Sequence, residues 1–311
     1  MSSLPLRQLS LDINKHKKKA IFIRQIRDYF YKKDVLEVFT PLLTKTSVTD
    51  PNINSIKCSI SSCEPNFTGF LQTSPEYAMK RLLVAGSGCI YQICPAFRDD
   101  EASAIHAAEF TMLEWYRLGY NYKMLMAEVV ELLRLFIPNL EVKRKTYKDI
   151  FSEFLNINID EVSRKDLQNI IKDKNGCDIN LSSKDEYLDA LMSLVIQPQL
   201  KDVKALLVYD FPVNQAALSK VSTTDKTIAE RFELYMSGIE IANGYSELTD
   251  TTEMKQRFHN NNQHRLESGQ EVMELDQDFL RSMSMGLVEC AGVAVGIERL
   301  FMIICEDTKI F

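Results

Sequence analysis

What this chain of 311 residues lacks narrows its function before anything it contains does. No uninterrupted apolar run reaches the roughly 18 residues that a membrane-spanning helix needs. The opening MSSLPLRQLSLDINKHKKKA has no apolar segment of the kind a secretory signal carries. Together these absences imply a cytoplasmic protein with no membrane partner. The seven cysteines (58, 63, 89, 94, 177, 290 and 305) are odd in number and include no C-x-x-C pair. Neither a disulfide framework nor a thiolate zinc site is suggested, and small core residues are the expected role. Only four histidines occur, and His259 and His264 stand five apart, which is poor ligand spacing on a helix. The spacings G-x-x-x-x-G-K-[ST] and G-x-G-x-x-G are both missing, so there is no Walker or Rossmann loop. A net charge of −6 disfavours broad nucleic-acid binding, which runs on phosphate neutralisation. The basic run Lys15-His16-Lys17-Lys18-Lys19 reads as a solvated helix start.

The composition present is that of an ordinary folded domain, 45% hydrophobic and 26% charged. Asp12 to Lys33 reads as an amphipathic helix with Phe22, Ile26, Tyr29 and Phe30 on its apolar face. VLEVFTPLLT follows, a strand interrupted by Pro41, which belongs at an edge or bulge. In Thr73-Ser74-Pro75-Glu76, Ser74 suits an N-cap, Pro75 the first helical position and Glu76 the first turn of a helix that stops at Gly86. Two β-like runs, Cys89–Phe97 and Glu109–Leu118, flank a polar loop from Arg98 to Ala108. A helix over 121–137 carries an apolar stripe of Met124, Leu125, Val129, Leu132 and Leu133. The polar stretch 141–204 reads as a small helical insertion between two parts of one main domain, 1–140 and 205–311. ALLVYDFP opens the second part as a buried strand, and Asp250-Thr251-Thr252-Glu253 caps a polar helix running to Gly269.

Three places carry chemistry. Period-two alternation puts Phe110, Met112, Glu114, Tyr116 and Leu118 on one strand face. A carboxylate among such neighbours either faces solvent or needs a cation, and Tyr116 can add a hydroxyl. Asn243-Gly244 is a strong type I′ turn signal and predicts a hairpin tip with Glu240 directly opposite Glu247. Two opposed carboxylates call for a divalent cation, for which oxygen ligands suggest magnesium, or for a shared proton; a solvated tip is the alternative. Last, Gly292 and Gly296 permit close backbone approach, and Arg299 just beyond them suits an anionic ligand or a ring to stack on.

These stretches together resemble a known family. TSPEYAMKRLLVAG, FRDDE and H-x-x-EFTMLEWY are similar to the motif 2 region of class II aminoacyl-tRNA synthetases of the lysyl branch. They resemble most the short lysyl-tRNA synthetase paralogues that attach (R)-β-lysine to a lysine of translation elongation factor P. The likeness runs from about residue 12 to about 305. It implies an α+β fold with a mainly antiparallel sheet flanked by helices, and a homodimer built through the helix–strand–proline unit. It implies activation of lysine or (R)-β-lysine by ATP with Mg²⁺. Arg98 and Arg299 would be catalytic, Arg98 on the α-phosphate, with Phe110 and Arg299 sandwiching adenine. Asp99, Asp100, His106, Ala107, Ile241 and Gly296 would complete the ATP site. Ser74, Pro75 and Glu76 would contact the amino acid, Glu114 and Tyr116 would receive its distal ammonium, and Asn243 its carboxylate. Glu240 and Glu247 would hold magnesium, with Glu247 also near the amino acid. A catalytic helix beginning near residue 12 leaves no room for an anticodon-reading domain, so no tRNA partner is expected. Two ATP contacts depart from the family: Asp100 stands where it has a glutamate and Ala107 where it has an asparagine. A paralogue that binds without activating, or a ligase with another acceptor, are the alternatives. Ala294, where the synthetases have glycine, favours the β-lysine paralogue.

Overall fold

The structure, a computed structural model, describes residues 9–59, 68–99, 103–176 and 178–310. It comprises two compact units, one of residues 1–121 with 247–311 and one of residues 122–246.

The first unit opens with helix Ile13–Lys32, whose first N–H groups are capped by Asp12 and whose buried residues are Phe22, Ile26, Tyr29 and Phe30. That is the face expected from periodicity. Strand Leu36–Glu37 lies at the sheet edge, parallel to Ile90–Phe97. The latter runs antiparallel to Glu109–Leu118, which runs antiparallel to Cys290–Gly296. Phe30 stacks on Tyr91 at 4.4 Å and meets Trp115 edge-on, fastening the first helix to this sheet. Leu43–Thr44, Thr68–Leu71 and Lys57–Ser59 form a small antiparallel sheet. Helix Glu76–Val84 begins one residue later than expected, because Pro75 takes the cap position. Ser74 Oγ still accepts from the Glu76 N–H at 3.4 Å. Asp250 caps helix Thr251–Glu267, and helix Ile297–Ile304 follows the glycine-bearing strand at once.

The second unit pairs Lys143–Thr146 parallel to Leu206–Pro212, then antiparallel to Ile228–Met236 and on to Ile239–Ser246. Helix Tyr122–Arg134 buries Leu125, Val129, Leu132 and Leu133, but Met124 is exposed and Met126 is buried in its place. Helices Tyr147–Leu155, Arg164–Asn175 and Lys184–Leu191 share one core with strand residues Leu206, Val208, Phe211, Ala229 and Tyr235.

The expected hairpin tip is not there. Asn243 pairs with Glu233 and Gly244 with Phe232 inside a continuous strand. The turn falls instead at Ser237-Gly238, both at positive φ (50° and 77°), between the paired residues Met236 and Ile239. A two-residue turn with both φ values positive matches the right-handed twist of its strands, and Ser-Gly supplies it as Asn-Gly would. The opposition of Glu240 and Glu247 therefore does not exist; Glu240 faces Tyr235. In both units a mostly antiparallel sheet is flanked by helices, the α+β class expected. Among the described residues no helix is long and apolar enough to cross a membrane.

Candidate active site

In the first unit three carboxylates gather around one ammonium. Glu76 and Lys80 sit one turn apart on helix Glu76–Val84, the i, i+4 spacing that brings side chains together. Lys80 is fully buried, with Nζ 2.6 Å from Glu76 Oε1 and 2.6 Å from Glu247 Oε2. Glu247 is held by its N–H, which donates to the Cys290 carbonyl at 2.9 Å. Glu114 comes from the middle of its strand and accepts a 2.6 Å hydrogen bond from the Tyr116 hydroxyl. Its cross-strand neighbours are Gln92 on one side and Ala294 on the other. Gly292 lies opposite Tyr116, and a Cβ there would fall 2.4 Å from the Tyr116 ring and 2.5 Å from Glu247 Oε1. The missing side chain is what lets Tyr116 and Glu247 occupy the same ground.

Electrostatics follow from this crowding. Burial pushes the Glu114 carboxyl up to about 8; the Glu76 charge adds to the rise and the Tyr116 hydrogen bond opposes it. Burial also pushes Glu247 up to about 8, with Lys80 pulling the other way. Burial alone would lower Lys80, but the Glu247 and Glu76 carboxylates more than offset it, and the ammonium holds its proton more tightly than usual. Glu114 Oε2 and Glu247 Oε1 are buried without a hydrogen-bond partner among the described residues. Buried acceptors of this kind are costly to leave unmade. Their chemistry, two carboxylate oxygens beside a tyrosine hydroxyl, fits the ammonium of a ligand.

A second constellation in this unit surrounds the loop after Phe97. Arg98 lies over the Phe110 ring at 5.4 Å, and its N–H donates to the Ala108 carbonyl. Arg299 Nε donates to the Ile105 carbonyl at 3.2 Å. His106 Nδ1 shares a 2.7 Å hydrogen bond with Ser103 Oγ. One face of Phe110 thus carries Arg98. Asp99 is exposed, with its N–H on the Asn54 carbonyl, and Ala107 is half-buried. Asp100 lies outside the described residues. Gly296 ends its strand with only Arg299 Cδ near the place of a Cβ. Glu298 ties this region down: it accepts from Thr111 N and Oγ1, both at 2.7 Å, and pairs with Lys19 at 2.9 Å.

In the second unit Asn243 is held at both ends of its amide. Its Oδ1 accepts from Arg231 Nε at 3.3 Å and its Nδ2 donates to Glu233 Oε1 at 3.2 Å. Arg231 also pairs with Glu233 at 2.6 Å and stacks on Phe211. Burial raises the Glu233 carboxyl, and Arg231 opposes the rise. Ile241 is buried and Glu240 half-buried.

Among the described residues no three His, Cys, Asp or Glu side chains gather as a metal site. Glu247 lies against an ammonium inside a protein core, a setting that fits an amine and not a metal. Sequence reasoning missed Lys80, although its spacing from Glu76 within PEYAMK was a visible signal. It also missed Glu298, whose partners are distant in sequence and which no local pattern reveals.

Fold and site together define a class. The sequence profile of tRNA synthetases class II (D, K and N) matches residues 5–311, and the chain belongs to that family. Within it, the chain is similar to curated proteins named elongation factor P--(R)-beta-lysine ligase. That of Pseudoalteromonas translucida is 40% identical over 94% of this chain and 92% of its own length. That of Vibrio cholerae is 40% identical over 96% and 93%, and that of Haemophilus influenzae 39% over 100% and 97%.

Proposed function

We propose that this chain is an ATP-dependent ligase that activates a diamino acid, (R)-β-lysine or lysine, and transfers it to a lysine side chain of translation elongation factor P. The observation that carries this reading is the buried acidic cluster. Glu114 Oε2 and Glu247 Oε1 offer two unmet acceptors, beside Tyr116 and behind Gly292. Full-length similarity to the named ligases supports the acceptor.

In the first step a carboxylate oxygen of the amino acid bonds to the α-phosphorus of ATP, and the bond to pyrophosphate breaks. In the second, the acceptor amine bonds to the acyl carbon and loses its proton, and AMP departs with the bonding electrons. The residues position groups and neutralise charge; none forms a covalent intermediate. Glu114, Tyr116 and Glu247 hold ammonium groups, with Ser74, Pro75 and Glu76 at the mouth of the helix beside them. Arg98 leaves Phe110 for the α-phosphate, which opens the ring face to adenine, and Arg299 closes the other side. His106, Asp99, Ala107 and Gly296 would line the nucleotide, and the family resemblance assigns Asp100 and Ile241 to ATP as well. The family resemblance assigns the substrate carboxylate to Asn243, whose amide Arg231 and Glu233 hold in place. Glu240 would hold magnesium together with phosphate oxygens of the nucleotide, one carboxylate with phosphates being a common set, and the ion would neutralise phosphate charge. The functional molecule is a homodimer in the cytoplasm.

ATP–pyrophosphate exchange with (R)-β-lysine, lysine and norleucine tests the first step. Exchange with the two diamino acids and none with norleucine is expected. Mass spectrometry of elongation factor P after incubation tests the second. An unmodified factor alongside active exchange would move the acceptor elsewhere.

A further inference from the structure

The cluster contains a group to which the reaction above gives no task. Lys80 is completely enclosed, yet it touches two of the three carboxylates of the cluster. Burying a lysine costs several kcal/mol unless it is paired. Here it is paired twice, at 2.6 Å each, with carboxylates from distant parts of the chain: Glu76 on its own helix and Glu247 just ahead of helix Thr251–Glu267. A lysine that served only to fill the core would not need both.

We infer that Lys80 is the internal counter-ion that positions Glu76 and Glu247 and sets the cluster's preference for a substrate with two ammonium groups. The inference rests on the diamino-acid reading and adds the residue that tunes it.

Two consequences of the geometry support it. The first is orientation. Lys80 takes Glu247 Oε2, so the other oxygen, Oε1, is turned toward Gly292 and Tyr116, where it is buried without a hydrogen-bond partner among the described residues. One oxygen anchored and one presented is a defined receptor; an unanchored glutamate would sample several rotamers. The second is charge. Glu76, Glu114 and Glu247 against Lys80 leave a formal surplus of two negative charges when all are ionised. Two ammonium groups neutralise that surplus. A single ammonium leaves one carboxylate buried and uncompensated, which low dielectric makes expensive. Without Lys80, Glu76 and Glu247 repel across the gap it leaves and the loss of the neighbouring ammonium favours a proton on Glu247, so the cluster offers the second ammonium one ionised carboxylate fewer.

The test compares wild type with Lys80→Met, which keeps length and removes charge, in exchange kinetics and in calorimetric binding of (R)-β-lysine, lysine and norleucine. The expected result is a KM for the diamino acids raised at least tenfold, and a lysine-to-norleucine selectivity reduced by a similar factor. The KM for ATP stays within twofold, since Arg98, Phe110 and Arg299 are untouched. A lysine that only stabilises the fold gives a lower melting temperature and a smaller active fraction, with amino-acid KM and selectivity unchanged, and that outcome overturns the proposal. Should the Met variant fail to fold, Lys80→Gln keeps hydrogen-bond donors without charge and is read the same way. Unchanged KM and selectivity in it likewise overturn the proposal. Wild type that binds a diamino acid without exchange removes the ligase reading and leaves the Lys80 comparison to calorimetry. Wild type that binds neither diamino acid overturns both.

Discussion

Glu114 and Glu247 have folded-state titration points near 8, against an ordinary value of 4.5, because burial disfavours their charged forms. The sign of the consequence is set by which state holds more protons. Between about pH 4.5 and about pH 8 the folded protein keeps protons that the unfolded chain has released, so stability falls as pH rises through that window. Below it both states are protonated and above it both are ionised, so the contribution is flat at either end. Ligand-free protein should therefore melt at lower temperature at about pH 8.5 than at about pH 5.5. Glu114→Gln should flatten that slope, and saturating lysine should reduce it, because a bound ammonium favours the ionised carboxylates. A melting temperature that rises steadily across the window would remove the acidic cluster as its origin. In kinetics, Glu114→Gln should raise the KM for the diamino acid about 10- to 100-fold, the equivalent of roughly 1.5–3 kcal/mol for a charge-assisted contact. The KM for ATP should hold.

At the scale of elements, the turn at Ser237-Gly238 shows what sequence can and cannot deliver. Both Asn243-Gly244 and Ser237-Gly238 are chemically able to form a tight turn. The choice between them is made by the core, since pairing Met236 with Ile239 keeps Phe232, Leu234 and Ala242 buried. Local turn chemistry cannot express that preference. Gly238 has φ +77°, and a Cβ there would lie 2.7 Å from the Gln197 carbonyl oxygen. Gly238→Ala should therefore destabilise the second unit by about 1–3 kcal/mol, read as a lower urea midpoint at unchanged slope. A null effect would mean the turn lies elsewhere. Helix Ile13–Lys32 is the opposite case: Asp12 and a clean 3.6-residue stripe act locally, and the buried set matched expectation residue for residue. The site divides in the same way. Glu114, Tyr116 and Glu76 were legible because an acid on an apolar face or in a first turn is visible in sequence. Lys80 was not, because its second partner, Glu247, is reached only through the fold.

For the whole molecule, the first unit presents an unfinished edge. Strand Leu36–Glu37 pairs on one side only among the described residues, and the chain beyond it passes through Pro41. Tyr31, Leu36, Phe39 and Leu43 around it are all exposed, Phe39 at 79% and Leu36 at 55%. Natural proteins blunt sheet edges with charge or cover them; Glu37, paired with Arg27 at 3.0 Å, supplies charge in the strand, but Leu36 and Phe39 stand exposed among the described residues. A second copy of the chain is the cover that the homodimer reading supplies, and a stable one buries roughly 1,200–2,000 Å² in total. Sedimentation of wild type at micromolar concentration should then give the mass of two chains. Phe39→Glu places a charge where the partner would exclude water, and should shift the protein to one chain at the same concentration. Its melting temperature should fall too, since association stabilises the folded state by mass action. The acidic cluster lies on other elements of the unit, so calorimetric binding of lysine to the separated chain should persist. Wild type that sediments as one chain at every concentration would refute the dimer and leave the acidic cluster unaffected.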